Sequence, residues 1–382
     1  MTGWENTTLG CVCRSVSETY HGQDSNVVLV NTSDVFEGEI LAHEYVPNVK
    51  LRGQFKKTFQ KDDILFSEIR PANKRYAYVT LDDTRAYIAS TKLMVLRANR
   101  EKIIPRYLYS FLKSEQILAE LQHLAETRSG TFPQITFDAE LAPLKIILPA
   151  YDTQKKIVDI ISVFDDKIAL NRKINKNLEE QAQAIFAHLF SDRPYHLGTL
   201  SQIADVIMGQ SPRGESYNET KSGALFFQGR ADFGFRFPTP RLYTTEPKRM
   251  AQAGDVLLSV RAPVGDLNIA LEPCCIGRGI AAIRSIDGHP SFLFYCLLSQ
   301  KDQFDVFNGE GTVFGSINSN ALKSMEVRIP PKKLLDHFEE MVAPIDTVIR
   351  VTSEEILYLT ALRDTLLPRL MSGELDVSNI EL

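Results

Sequence analysis

The chain is written twice. Residues 130–191 lie over residues 311–372 without a gap at a shift of 181. Gly130-Thr131 falls on Gly311-Thr312, Leu141 on Leu322, Leu148-Pro149 on Ile329-Pro330, Asp165 on Asp346 and Leu189 on Leu370. Upstream the shift becomes 192, carrying Asp63-Ile64-Leu65 onto Asp255-Val256-Leu257. Near the start it is 191, carrying Thr8-Leu9 onto Thr199-Leu200. An internal period constrains architecture before any other feature, and one of about 180–190 residues is too long for a solenoid. It implies two copies of one globular-plus-helical unit.

Each copy has a mixed part and a helical part. In the first copy, residues 27–31, 63–69, 76–80, 92–97 and 144–148 are rich in Val, Ile, Leu and Tyr and predict strands, and residues 105–125 predict one helix opened by Pro105. The second copy predicts strands at 256–260, 267–271, 280–284 and 325–329 and a helix at 290–304. Glycines crowd the second copy, at 209, 214, 223, 229, 234, 254, 265, 277 and 279, which suggests turns and close backbone approaches. Strands mixed with one or two helices, without regular alternation, argue for an α+β class.

The helical part carries an apolar stripe at spacings of three and four. Its seam runs through Ile157, Ile161, Phe164, Ile168, Leu178, Ile185 and Leu189, interrupted by Asn171 and Asn175. The second stripe runs through Phe338, Val342, Ile345, Ile349, Ile356, Leu359, Leu366 and Leu370. A mean spacing near 3.5 marks a narrow coiled-coil seam. Two such stripes in one chain, with a folded domain between them, most simply pack antiparallel. The expected architecture is therefore two homologous α+β domains separated by two long helices packed as an antiparallel coiled coil, with pseudo-twofold internal duplication. The boundaries read as 1–150, 151–192, 193–331, 332–375 and a tail at 376–382. Pro344 should kink the second helix or delay its start.

Of 382 residues, 44% are hydrophobic and 24% charged, the composition of an ordinary globular protein. No apolar run approaches the roughly 18 residues needed to cross a membrane. The N-terminus shows no secretion signal, so the expected compartment is the cytoplasm. The net charge of −5 belongs to the C-terminal segment, where residues 332–382 hold 5 basic and 10 acidic side chains. The rest is nearly neutral, which leaves room for a basic face, and residues 50–75 suggest one. Cys11, Cys13, Cys274, Cys275 and Cys296 lack the spacing of a zinc site and read as buried, reduced thiols. No phosphate loop, dinucleotide fingerprint, HExxH or amino-methyltransferase motif is present. The layout therefore points to recognition rather than catalysis, with no catalytic residue and no metal ligand assigned.

The ends of the copies carry a recognisable pattern. After Leu148-Pro149 come Gln154-Lys155-Lys156-Ile157-Val158, Phe164-Asp165-Asp166-Lys167-Ile168, Asn171-Arg172-Lys173 and Asn177-Leu178-Glu179. The second copy closes on Leu366-Leu367-Pro368-Arg369-Leu370-Met371-Ser372-Gly373-Glu374-Leu375. Over essentially its whole length the chain resembles the specificity subunit of a type I restriction-modification enzyme. It departs from the usual Pro-Glu-Gln at Asp152-Thr153-Gln154 and again at Leu334-Leu335-Asp336. The resemblance implies two target recognition domains (1–150 and 193–331), each followed by a spacer helix (151–192 and 332–375). It implies a non-catalytic subunit that reads a bipartite, asymmetric site in double-stranded DNA. Two methyltransferase subunits and the restriction and translocating subunits would be its partners. No cofactor is expected in this chain, with S-adenosylmethionine, ATP and Mg placed in those partners. The competing readings are a coiled-coil scaffold whose α+β domains bind protein or glycan, and a nuclease or methyltransferase in its own right.

Phosphates are met by Lys, Arg and backbone N–H, and base edges by Arg, Gln, Asn, Ser or Thr. The candidate DNA contacts in the first domain are Lys56, Lys57, Arg70, Lys74, Arg75, Arg128, Thr131 and Gln134. In the second they are Gln210, Ser211, Arg213, Gln228, Arg230, Arg261, Arg278 and Thr312.

Overall fold

A computed structural model describes residues 4–22, 24–49, 53–128, 131–191, 195–308 and 315–377. They form two compact units, one of Met1–Ala169 with Leu357–Leu382 and the other of Leu170–Ile356. Both mix sheet and helix.

In the first unit the strand Ile64–Ser67 is buried along its whole length. Its side chains alternate between two apolar clusters, as the two-residue period of a strand requires. Ile64 and Phe66 enter one cluster with Leu96 and Leu121, and Leu65 enters another with Val28 and Val95. A strand covered on both faces reads as a continuous apolar run, which explains the sequence Ile-Leu-Phe. Around it the strands Cys13–Val16, Leu93–Ala98, Ile64–Ser67 and Tyr76–Tyr78 form an antiparallel sheet in that order. A second sheet, ordered Val46–Pro47, Asn26–Val30, Tyr87–Ser90 and Phe55–Lys57, supplies the other cluster. The helices Pro105–Leu112 and Glu115–Arg128 cover the first cluster.

The second unit repeats this plan. Ala204–Met208, Ile280–Ser285, Val256–Ser259 and Leu267–Ile269 form the matching antiparallel sheet. Val256 and Leu258 enter one cluster and Leu257 the other. The agreement extends to register. Glu5 pairs with Leu148 in the edge ladder of the first unit, and His196 with Ile329 in that of the second. The residue before each central strand is a buried aspartate, Asp63 at 1% and Asp255 at 2% exposure. Arg97 grips Asp63 with two bonds of 2.8 Å, and Arg284 grips Asp255 with two of 2.7 Å. The same carboxylates accept the backbone N–H of Gln60 and Gln252.

Each unit also contains parts of both long helices, Tyr151–Phe190 and Lys332–Met371, of 40 residues apiece. In the first unit Ile157 and Ile161 share a core with Leu367 and Leu370. There Asp165 accepts from Lys113 at 2.5 Å and from Arg363 at 3.0 Å. In the second unit Ala182 shares a core with Phe338 and Val342. There Arg236, 2% exposed, meets Glu179 at 3.2 Å, Asp346 at 3.3 Å and the Tyr295 hydroxyl at 2.7 Å. Its guanidinium lies 4.0 Å above the Phe294 ring. In each unit, partners on the second helix fall in number as those on the first rise.

Several expectations need correction. The single helix over 105–125 is two helices. Ser114 breaks it, turning its hydroxyl back to Phe111 while its carbonyl accepts the N–H of Leu118. Pro344 does not delay the second long helix, which begins at Lys332 and continues past it. Pro344 sits on the exposed face, where water can satisfy the carbonyl left without its helical donor, while Val342 and Ile349 beside it are fully buried. Of the seam residues, Ile157, Ile161, Ile168, Phe338, Val342, Ile349 and Leu370 are buried, whereas Phe164, Leu178, Ile185, Leu189, Ile345, Ile356, Leu359 and Leu366 are half-buried. Asn171, Asn175 and Leu367 take buried places alongside them. Cys11 is exposed, unlike the other four cysteines. Burial pushes the thiols of Cys13, Cys274 and Cys296 up to about 12.

Two outcomes follow for stability. Removing a partner from a buried ion pair strands the other charge, so Asp63→Ala and Asp255→Ala should each cost about 3 kcal/mol in chemical denaturation. His289 lies 2.9 Å from Asp336 and 3.2 Å from Asp287. Burial pulls its pKa down, but the hydrogen bond to Asp336 and the nearby Asp287 carboxylate outweigh burial and raise it above the usual 6.5. A raised folded-state value stabilises at low pH and stops doing so as pH rises through it. The denaturation midpoint should therefore fall as pH rises from below 6.5 through the raised value, and His289→Asn should flatten that fall.

Candidate nucleic-acid interface

In the second unit four backbone segments converge at the end of the central strand. Val260 donates to the Gly279 carbonyl at 2.9 Å, Gly277 to Phe227 at 2.8 Å, and Gln210 to Ile276 at 2.9 Å. The Arg278 N–H is held by the Ser211 hydroxyl at 3.2 Å. Only glycine permits this approach. A Cβ on Gly277 or Gly279 would stand 2.9 Å from Gln228 backbone atoms, and one on Gly209 would stand 2.2 Å from the Gly277 carbonyl. Around the junction Gln210, Arg213, Gln228, Arg230, Arg261 and Arg278 are exposed and Ser211 is half-buried. Arg230 pairs with Asp266 at 2.6 Å. Arg213, Arg261 and Arg278 form no ion pair among the described residues. Thr312 lies outside those residues.

The first unit holds a corresponding junction. Ile69 bridges Gln134 where Arg261 bridges Ser316 in the second unit. Ile135 donates to the Glu68 carbonyl at 2.8 Å where Ile317 donates to Val260 at 3.1 Å. Arg70 is exposed, its N–H bound to the Pro133 carbonyl at 3.2 Å, and Thr131 is exposed on the same connecting segment. Lys74 lies one short turn further on and pairs with Glu115 at 2.5 Å.

Other candidates serve the domain itself. Lys57 is buried and donates to the carbonyls of Thr91 at 2.9 Å and Leu93 at 2.8 Å. Burial lowers its pKa, and the two carbonyls, not solvent, face its ammonium. Lys56 beside it is exposed, as strand alternation dictates. Arg75 donates to the Ser33 carbonyl at 3.0 Å and covers the Phe36 ring at 5.2 Å. Arg128 pairs with Glu140 at 3.2 Å. Lys92, absent from the sequence-based candidates, reaches both Glu68 at 3.3 Å and Gln134 at 3.5 Å. Lys92 and Ser316 could have been found only by pairing the segments across the domain. No group of His, Cys, Asp or Glu suited to a metal occurs among the described residues, and none of their helices is long and apolar enough to cross a membrane.

The family described as the type I restriction modification DNA specificity domain matches residues 1–180 and again 199–354. The specificity subunit of the type I restriction enzyme HindI of Haemophilus influenzae is 29% identical, over 98% of this chain and 100% of that protein. A putative specificity subunit, MjaX of Methanocaldococcus jannaschii, is 31% identical, over 87% of this chain and 83% of its own. The solved S subunit of a type I restriction-modification system from M. genitalium is 17% identical, covers 96% of both chains with a TM-score of 0.53, and shares the fold.

The two kinds of cation should behave differently. Arg278→Ala should weaken duplex binding and, where it meets a phosphate, lower the salt slope by about 1, without moving the melting temperature. Lys57→Met should leave the salt slope of the folded protein unchanged. Filter-binding titrations across a salt series, paired with melting curves, separate them.

Proposed function

Because this chain belongs to the family of type I restriction modification DNA specificity proteins, we propose that its two junctions read the two halves of one divided DNA target. The chain is the non-catalytic, DNA-recognising specificity subunit of a type I restriction-modification system. Its recognition domains take residues 1–150 and 193–331, and its long helices form the antiparallel spacer between readers. The partners in this reading are two methyltransferase subunits, which bring S-adenosylmethionine, and restriction subunits, which bring ATP and Mg.

One observation carries the proposal. The same bridge at the end of the central strand is built twice, and the side chains mounted on it differ: Ile69, Arg70 and Gln134 in one copy, Arg261, Ala262 and Ser316 in the other. A shared scaffold holds a reader in register, and unlike side chains read unlike bases. The target is therefore asymmetric. Readers of half-sites on one face of a duplex sit about 34–36 Å apart. A helix of 40 residues is about 60 Å long, enough to span that gap. Arg70, Gln134, Arg213, Gln228, Arg261 and Arg278 lead the contact set, with Lys56, Thr131, Gln210, Ser211 and Arg230 beside them.

Exchanging residues 1–150 for the corresponding domain of another specificity subunit should change one half-site and leave the other intact, as mapped by methylation sequencing. A change in both halves would sink the assignment. Lengthening both helices by one turn should alter the accepted gap while preserving both half-sites. Selection from random duplexes would show it, and an unchanged gap with altered half-sites would contradict the spacer role.

A further inference from the structure

Midway along the long helices the seam turns polar. Asn171 and Asn175 are 1% and 2% exposed. They lie in the same unit as their partners Thr352, Ser353 and Glu355. Asn171 Nδ2 donates to Glu355 Oε2 at 2.7 Å, and Asn175 Nδ2 donates to Ser353 Oγ at 3.0 Å. Thr352 Oγ1 donates to Asn175 Oδ1. Asn171 Oδ1 is buried with no hydrogen-bond partner among the described residues. Ile168 and Ile349 nearby are 3% and 0% exposed, so the layer interrupts an apolar stripe.

Such a layer is a poor stabiliser. A buried amide with an orphan oxygen keeps a desolvation cost that a leucine would not have. What it supplies is discrimination. An apolar stripe that repeats every three or four residues can be re-formed after one helix slips by a turn, whereas these hydrogen bonds cannot. Nor is the layer a repeat of itself. Asn175 faces Thr352, and the residues one turn to either side of Thr352 are the apolar Val348 and Ile356, so a helix slipped by a turn leaves that amide without its partner.

We propose that this polar layer locks the register of one long helix against the other, and thereby selects the gap between half-sites that the protein accepts. The inference rests on the reading of two half-site readers joined by a spacer. Each domain is tied to the helix that follows it, through Lys113 to Asp165 in the first unit and through Arg236 to Asp346 in the second. On that reading the separation of the readers follows the register of the helices. A slip of one turn moves a helix by about 5.4 Å, and base pairs stack about 3.4 Å apart, so one turn alters the gap by about one or two base pairs.

The test uses the full chain assembled with its methyltransferase subunits. Duplexes carry both half-sites at gaps that vary one base pair at a time, and methylation is read by sequencing. The parent should modify one gap. Asn171→Leu with Asn175→Leu should keep both half-sites, melt no lower than the parent, and lose about tenfold of its discrimination against neighbouring gaps. Undiminished discrimination in a folded variant would overturn the lock. A variant that melts well below the parent would overturn it too, because the layer would then be holding the fold together. A parent complex that methylates no divided site would instead defeat the reading on which the lock rests.

Discussion

Each long helix carries a carboxylate that its own unit must neutralise, and the packing of domain against helix is organised by that requirement. Asp165 is met by Lys113 and Arg363, and Asp346 by Arg236 and the Tyr295 hydroxyl. Burial lowers the pKa of Lys113 against the pull of Asp165. Burial likewise raises that of Glu179 against the pull of Arg236. Taking such groups out of water is costly, and a well-packed apolar contact is often no less stabilising than a buried ion pair. The ionic contact makes every other arrangement expensive, because a shifted helix would leave a buried charge alone. The anchors therefore decide where a domain sits on its helix more than how tightly it sits.

That distinction explains what the two copies keep and what they change. Ladder registers, the buried aspartate at the start of the central strand and its arginine clamp all recur. The neutralising partners do not recur. The first unit takes a lysine from the helix Pro105–Leu112 boundary and an arginine from the second long helix, whereas the second unit takes one arginine from a loop. A carboxylate tolerates any cation that reaches it with good geometry, so the partners can diverge while the acid stays. The exposed junction side chains are freer still, since none is needed by the core.

The duplication and both long helices were legible because they rest on patterns dozens of residues long. Short polar strands were not. Glu5–Thr8 and His196–Thr199 hold no apolar alternation, and each exists only because an apolar strand from the far end of its domain pairs with it. The break at Ser114 was hidden by apolar periodicity running through it, and the continuity at Pro344 by the general rule that proline interrupts a helix. Among site candidates, basic residue type alone could not separate Lys56 from Lys57. Their difference is one of strand face, which needs the register against Thr91 and Leu93. The glycine-rich stretch of the second copy was more informative, since close backbone approach is what Gly209, Gly277 and Gly279 supply.

The junctions reach similar ends by different backbone means. In the second unit, glycines let bare backbone segments touch, and the exposed arginines stand on a braced platform. In the first, Arg70 and Lys74 both adopt left-handed conformations, at φ 45° and 54°. Residues other than glycine pay on the order of 1 kcal/mol each for that region. The turn between them is held by the Ala72 N–H on Gln122 and by Lys74 on Glu115, both reaching the helix Glu115–Arg128. Strain in one unit and glycine bracing in the other each fix the backbone on which the exposed side chains are mounted. Lys74 illustrates the division of labour this imposes: by spending its charge on Glu115 it leaves Arg70 as the cation that the turn presents.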